Sequence, residues 1–275
     1  MKIVKHLLYG NDGKPVNFVA TPNKSGAFGA GFPKYLVMHY TAATTAQSAI
    51  SWFASKQAKA SAHLLVGRNG TITQFASFNS ITWHAGESQW SGLVGMNKYS
   101  IGIELVNAGR LQKTGSHWVC SVDKKVVPDN EVVIAKHKND QAETAWHAYT
   151  DIQLEVSIEI AALLVKTYSL SDIVGHEDIA PFRKSDPGPA FPMSSFRSKA
   201  IGRKENVINM YLTSAQVNIR SGAGTQFAAV SEPLPAGTKV QVLKREGNWS
   251  FVEVMQKVNG LNDVEGWVFS KFLVQ

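Results

Sequence analysis

Two of the eight histidines in this 275-residue chain close apolar runs. His39 ends the stretch Lys34-Tyr35-Leu36-Val37-Met38-His39-Tyr40, and His176 follows Ile173-Val174-Gly175. Near-continuous apolar runs read as strands buried on both faces. In α/β sheets, ligands sit beyond the carboxyl ends of strands. Further along, Asp186 opens Asp186-Pro187-Gly188-Pro189, whose residues restrict the backbone and aim the carboxylate. His39, His176 and Asp186 would together supply two nitrogens and one oxygen. That is the open three-ligand zinc arrangement of a hydrolase, with water in the fourth place. The same residues fit a plainer account, in which each histidine hydrogen-bonds in a surface loop and Asp186 caps its turn. The single cysteine, Cys120, excludes an intrachain disulfide and a thiolate-rich zinc site. Any metal site must therefore use histidine and carboxylate.

Positioning such residues takes a sheet with helices around it. After His39, Thr41 to Thr45 offers caps, and Ala46, Ala49, Ile50 and Phe53 recur at helical spacing. Asn69-Gly70 between Ala62–Val66 and Thr71–Phe75 predicts a hairpin. Ile101 to Val106 reads as another strand. Thr150-x-x-Gln153 predicts a capping box, opening a helix with Ile152, Val156, Ile160, Leu163 and Leu164 on one face. Residues 110–148 mix short β-like runs with charged turns and read as an insertion. Alternating strands and helices predict an α/β domain with a mixed β-sheet over residues 1–201. Residues 207–275 change texture. Short alternating runs (Val217–Arg220, Thr238–Leu243, Trp249–Val254, Gly266–Val268) predict a separate, small all-β barrel. The polar segment 202–206 is the expected linker.

Composition narrows the function. Hydrophobic residues are 44% and charged residues 18%, which is ordinary for a globular chain. The net charge is +7 and the pI about 9.4. Residues 1–206 hold 22 Lys/Arg and 16 Asp/Glu, or +6; residues 207–275 hold 6 and 5, or +1. A basic balance favours polyanions such as nucleic acid, anionic lipid or an anionic cell wall. No basic cluster or nucleic-acid motif is present, so nucleic acid ranks below a wall polymer. No apolar stretch approaches the ~18 residues of a membrane span. The start, Met1-Lys2-Ile3-Val4-Lys5-His6, breaks its apolar runs too early for a signal peptide.

Five stretches carry a resemblance to a known family. They are Leu36 to Ala42, Ser61-Ala62-His63-Leu64-Leu65-Val66, Trp83-His84-Ala85-Gly86, Ser100 to Leu105, and Gly175-His176 through Pro192. In order and wording they resemble the zinc-dependent N-acetylmuramoyl-L-alanine amidases of type 2, across most of residues 30–195. The last stretch, with Arg183-Lys184-Ser185-Asp186-Pro187-Gly188-Pro189, is the most specific. The resemblance implies a type 2 amidase or peptidoglycan-recognition-like fold and one zinc ion on His39, His176 and Asp186. It maps the catalytic carboxylate onto Glu104 and the oxyanion-stabilising lysine onto Lys184. His84 and Arg183, in the matched stretches, are further candidates for substrate contact. The tail resembles a bacterial SH3-like domain, on Val217-Asn218-Ile219-Arg220-Ser221-Gly222, Leu234 to Val240 and Gly266-Trp267-Val268. Such domains often bind cell-wall peptides.

The residues agree with these roles, with alternatives. Glu104 lies on an otherwise apolar strand, where a buried carboxylate is costly without a partner. Alternation also allows it a solvent-facing place shared with Gly102. Lys184 would stand beside a developing oxyanion, or be a solvated loop lysine. His63 fits a structural hydrogen bond better than ligation. His84 fits either substrate contact or a loop-locking bond. In the phage-lysozyme and peptidoglycan-recognition branch a tyrosine stands where this chain has Ala62, so that role is not carried over and Glu104 is left as the base.

The resemblance implies cleavage of the amide between the lactyl group of N-acetylmuramic acid and L-alanine, with peptidoglycan or muropeptides as partners. A recognition protein that binds without cutting is the alternative. A wall-binding tail points to the murein compartment, and the missing signal peptide to a phage-type lysin, another export route or cytoplasmic recycling. Oligomeric state is left open.

Overall fold

The computed structural model describes residues 1–201, 210–261 and 264–274. The chain divides into two compact units, Met1–Arg203 and Lys204–Gln275. The expected linker, 202–206, lies outside the described residues.

The first unit is built on a six-stranded mixed sheet. Its order is Asp172–Gly175, Tyr35–Tyr40, Ser100–Leu105, Leu64–Val66, Ile72–Gln74 and Asn17–Phe18. The first four strands run parallel, and Ile72–Gln74 returns antiparallel to Leu64–Val66 through the Asn69-Gly70 turn. Gly70 takes the positive φ, +79°, that the turn requires. Parallel strands need cover on both faces, which is why they read as unbroken apolar runs. Leu36, Met38, Ile101, Ile103 and Leu64 fill one core with Ile160 and Leu164 of the long helix. Leu65, with Phe75 and Val106, meets Ala49 and Phe53 of the helix Ala46–Phe53, which Thr45 caps.

The long helix, Asp151–Tyr168, shows where the predicted pattern was displaced. Thr150 caps it by accepting from the Gln153 N–H, but the reciprocal side-chain bond of a capping box is not made. Instead the Gln153 amide turns inward and donates to the carbonyls of Val66 and Val106. The Val66 carbonyl, which already accepts from the Val106 N–H at 2.9 Å, and the Val106 carbonyl are both taken up there. The buried row is consequently Gln153, Ser157, Ile160, Ala161 and Leu164, while Ile152 is 46% exposed.

Residues 110–148 form β structure of their own. Leu111–Thr114, His117–Cys120 and Val126–Val127 make a three-stranded antiparallel sheet, and Val132–Lys136 pairs with Glu143–His147.

The second unit is an antiparallel five-stranded sheet. Its order is Glu265–Phe269, Trp249–Val254, Lys239–Glu246, Met210–Thr213 and Leu273–Val274. Val240, Val242, Val252, Val254 and Val268 alternate inward against Val217, Ile219 and Leu234. Val217–Arg220, expected as a strand, makes only isolated bridges, among them Arg220 to Trp267. The mixed sheet with helices and the separate small all-β unit are the architecture the sequence predicted.

Candidate metal centre and catalytic cleft

Strand register assembles the site. His39 on Tyr35–Tyr40 lies beside Glu104 on Ser100–Leu105, and His176 directly follows Asp172–Gly175. All three strands are parallel, so their carboxyl ends open on one side. The loop after His176 returns Asp186 to the same point, where the Glu177 N–H donates to the Asp186 carbonyl at 2.8 Å.

Nδ1 of His39 lies 2.9 Å from Nδ1 of His176, and both lie 3.0 Å from Oδ2 of Asp186. All three residues are buried. The outer nitrogens decide the tautomers. Nε2 of His176 faces the Ala85 carbonyl at 3.0 Å and must carry its hydrogen. Nε2 of His84 faces the Ser100 carbonyl at 3.2 Å, so His84 Nδ1 accepts from His39 Nε2 at 3.0 Å. Both inner Nδ1 atoms are then bare lone pairs aimed at a carboxylate. Three acceptors converging without a proton between them call for a cation. Tetrahedral ligands ~2.0–2.1 Å from zinc stand ~3.3–3.4 Å apart, a few tenths of an ångström wider than here. Among the described residues this is the one cluster of three such side chains able to hold a metal ion.

Burial holds His39 and His84 neutral. Burial, then the neighbouring His176, pushes His39 down to about 4. Burial, then His39, puts His84 well below the usual histidine range. Neutral imidazole is the ligating form.

The cluster floors a cleft of about 610 Å³, and Glu104, His84, Arg183, Lys184, Trp52, Trp83 and Val122 are on its walls. Glu104 is 9% exposed, and its Oε2 is buried without a hydrogen-bond partner among the described residues. Burial, then Asp186, pushes its carboxyl up to about 8, against the pull of Lys184. An orphaned carboxylate oxygen in a cleft is poised for a proton or a donor that arrives with a ligand.

Arg183 Nη2 donates to the Ala85 and Glu87 carbonyls at 2.8 and 2.6 Å, which locks its loop to the Trp83–Gly86 segment. Both ring nitrogens of His84 are engaged within the fold, to His39 and to the Ser100 carbonyl. His63 donates to the Ser80 carbonyl at 2.8 Å and accepts from Gly102 N–H at 3.1 Å, a structural pairing outside the cluster. The structure thus brings His39, His176, Asp186, Glu104, Lys184, His84 and Arg183 into one cleft.

Gly102 shapes the site as well. A Cβ there would stand 2.5 Å from Cγ of His84, so only glycine leaves room for the ring behind His39. A glycine within an apolar strand was the available signal.

Both parts of the chain resemble known proteins. A family model described as N-acetylmuramoyl-L-alanine amidase matches residues 29–189, and one described as bacterial SH3 domain matches 215–274. The chain is 33% identical over 141 residues to 1,6-anhydro-N-acetylmuramyl-L-alanine amidase AmpD of Escherichia coli (strain K12), covering 50% of this chain and 57% of that protein. It is 31% identical over 196 residues to N-acetylmuramoyl-L-alanine amidase AmiD of the same organism, covering 66% of this chain and 60% of the relative. The chain therefore spans little more than half the length of these relatives. A crystal structure of a selenomethionine AmpD derivative shares the fold, with a TM-score of 0.52 at 24% identity over 73% of this chain and 99% of that one. With its family model matched over more than half of the sequence, the chain belongs to the N-acetylmuramoyl-L-alanine amidase family.

Proposed function

We propose that this protein is a zinc-dependent peptidoglycan amidase that cleaves the bond between the lactyl group of N-acetylmuramic acid and L-alanine of the stem peptide. One observation carries the reading: three bare acceptor atoms converge beside an orphaned buried carboxylate, in one open cleft. His39, His176 and Asp186 would hold the ion. A bound zinc ion supplies Lewis acidity and a nucleophile at neutral pH.

The chain's own groups do the rest. Burial pushes the Glu104 carboxyl up to about 8 in the metal-free protein; a dication held beside it would favour the carboxylate and draw it back towards the neutral range in which a general base works. Glu104 accepts a proton from the attacking water and delivers it to the departing amine. Lys184 donates to the carbonyl oxygen as negative charge develops there. His84 orients His39, and Arg183 fixes the cleft wall against which substrate lies. A binding-only protein has no need of Glu104 in a buried, unpaired state, which costs stability.

We further propose that residues 1–201 are the catalytic domain and 207–275 a wall-binding domain. A groove in the second unit, edged by Trp249, Phe269 and Phe272 with Asn218 and Gln226, suits a peptide by its aromatic floor and amide groups. Among the described residues no helix is long and apolar enough to cross a membrane. Mass spectrometry of products from intact sacculi and from soluble muropeptides tests the reading. Free stem peptides beginning at L-alanine are the expected product; absence of cleavage in both, with zinc bound, would overturn it. Cleavage of soluble fragments alone would point to cytoplasmic recycling, and cleavage of sacculi to the murein compartment.

A further inference from the structure

The insertion reaches Glu177 and Gly188, on either side of the loop that carries Asp186, at a point the proposed mechanism does not use. His137, 2% exposed, places Nε2 2.6 Å from Oε2 of Glu177. Asn139 N–H donates to His137 Nδ1 at 3.2 Å, so Nε2 carries the hydrogen and Glu177 accepts it. The same Glu177 oxygen accepts from Gly188 N–H at 3.2 Å, and its other oxygen pairs with Lys138 at 3.0 Å. Glu177 N–H in turn donates to the Asp186 carbonyl at 2.8 Å. One buried residue therefore clasps both Asp186 and Gly188. Trp146, 1% exposed, stacks on the His137 ring at 5.6 Å between centroids. It also closes over Gly188, where a Cβ would lie 2.8 Å from Cζ3.

Nothing about packing alone requires this arrangement. Removing a carboxylate from water costs several kcal/mol unless it is paired and hydrogen-bonded. Here a whole side-chain network surrounds one carboxylate, and its bonds converge on the loop that aims Asp186. Partners of that kind hold ligands in their ligating pose.

We propose that His137, Glu177 and Trp146 are positioning residues for the metal ligand Asp186. The insertion 110–148 is then a buttress that sets metal affinity, rather than only a surface elaboration. This rests on the metal-site reading above. If that reading fails, the parent chain binds no zinc; if only this inference fails, the parent binds zinc and the variants bind it equally.

The test measures zinc affinity of the full chain by chelator competition, well below each variant's metal-free melting temperature. His137→Phe keeps the stack on Trp146 and removes the donor; it should weaken zinc binding ~10–100-fold. His137→Gln keeps a donor and should recover part of the loss. Lys138→Met, at a half-exposed residue, probes the same carboxylate without disturbing the buried ring and should weaken binding several-fold. Glu131→Ala severs the insertion's tie to Arg68 and its internal pair with His147, away from Asp186. It should lower the melting temperature and leave zinc affinity in place. Equal affinity in parent, His137→Phe and Lys138→Met would overturn the proposal, as would an equal loss in Glu131→Ala.

Discussion

His84 Nδ1 stands 3.0 Å from His39 Nε2, so an imidazole rather than a carboxylate or carbonyl orients this member of the cluster. The arrangement depends on Gly102, whose missing side chain makes the space. Gly102→Ala should push His84 aside and loosen His39. The expected cost is ~1–3 kcal/mol of stability from overpacking and ~10-fold or more in zinc affinity. Thermal unfolding and chelator competition read the two separately. Unchanged zinc affinity with His84 displaced would mean that His39 does not need it.

Metal and catalysis separate by substitution. His39→Ala, His176→Ala and Asp186→Ala should lose zinc and hydrolysis together, from a parent holding about one zinc per chain. Lys184→Ala should keep zinc and lose ~10²–10³-fold in rate, the usual loss for one oxyanion donor. Metal analysis beside turnover distinguishes the classes. Full zinc content in His176→Ala would place the ion elsewhere.

Much of this was legible in the sequence because parallel strands announce themselves. The runs ending at His39 and His176 needed cover on both faces, and their ends became the site. Glu104 was ambiguous, since alternation gives a face but not what covers it. The sheet's second layer and the returning Asp186 loop settled its burial. The long helix misled by one position because Gln153, a polar residue, satisfies strand-end carbonyls from inside. The His137–Glu177 pairing joins residues 40 positions apart, and no local periodicity encodes a contact of that kind.

The proposed division of work between the two units can be tested by truncation. Each has its own apolar core. Deleting residues 207–275 should leave a folded domain that binds zinc and cleaves small soluble muropeptides. Binding to sacculi should weaken, because a tethered wall binder raises the effective concentration of the cleft at an insoluble substrate. Pull-down on sacculi beside turnover on soluble fragments checks this. Equal sacculus binding by the truncated and full chains would remove the targeting role from the tail.

Glu104, proposed as the general base, also bears on stability. In the metal-free protein its carboxyl is raised from 4.5 to about 8, by burial first and Asp186 second. Between those values the folded chain holds a proton that the unfolded chain has released. Folding stability contributed at this position is therefore full below pH 4.5 and is lost as pH rises towards 8. Each unit of such a shift is worth about 1.4 kcal/mol, so the burden at pH 8 reaches a few kcal/mol at most. Glu104→Gln carries no such burden. The metal-free variant should melt higher than the parent at pH 8 and the two should converge at pH 4.5. Zinc content should be retained, while hydrolysis falls ~10²–10⁴-fold, the range for a lost general acid–base group. A carboxylate kept only for structure would give the opposite pattern, with lower stability and turnover intact.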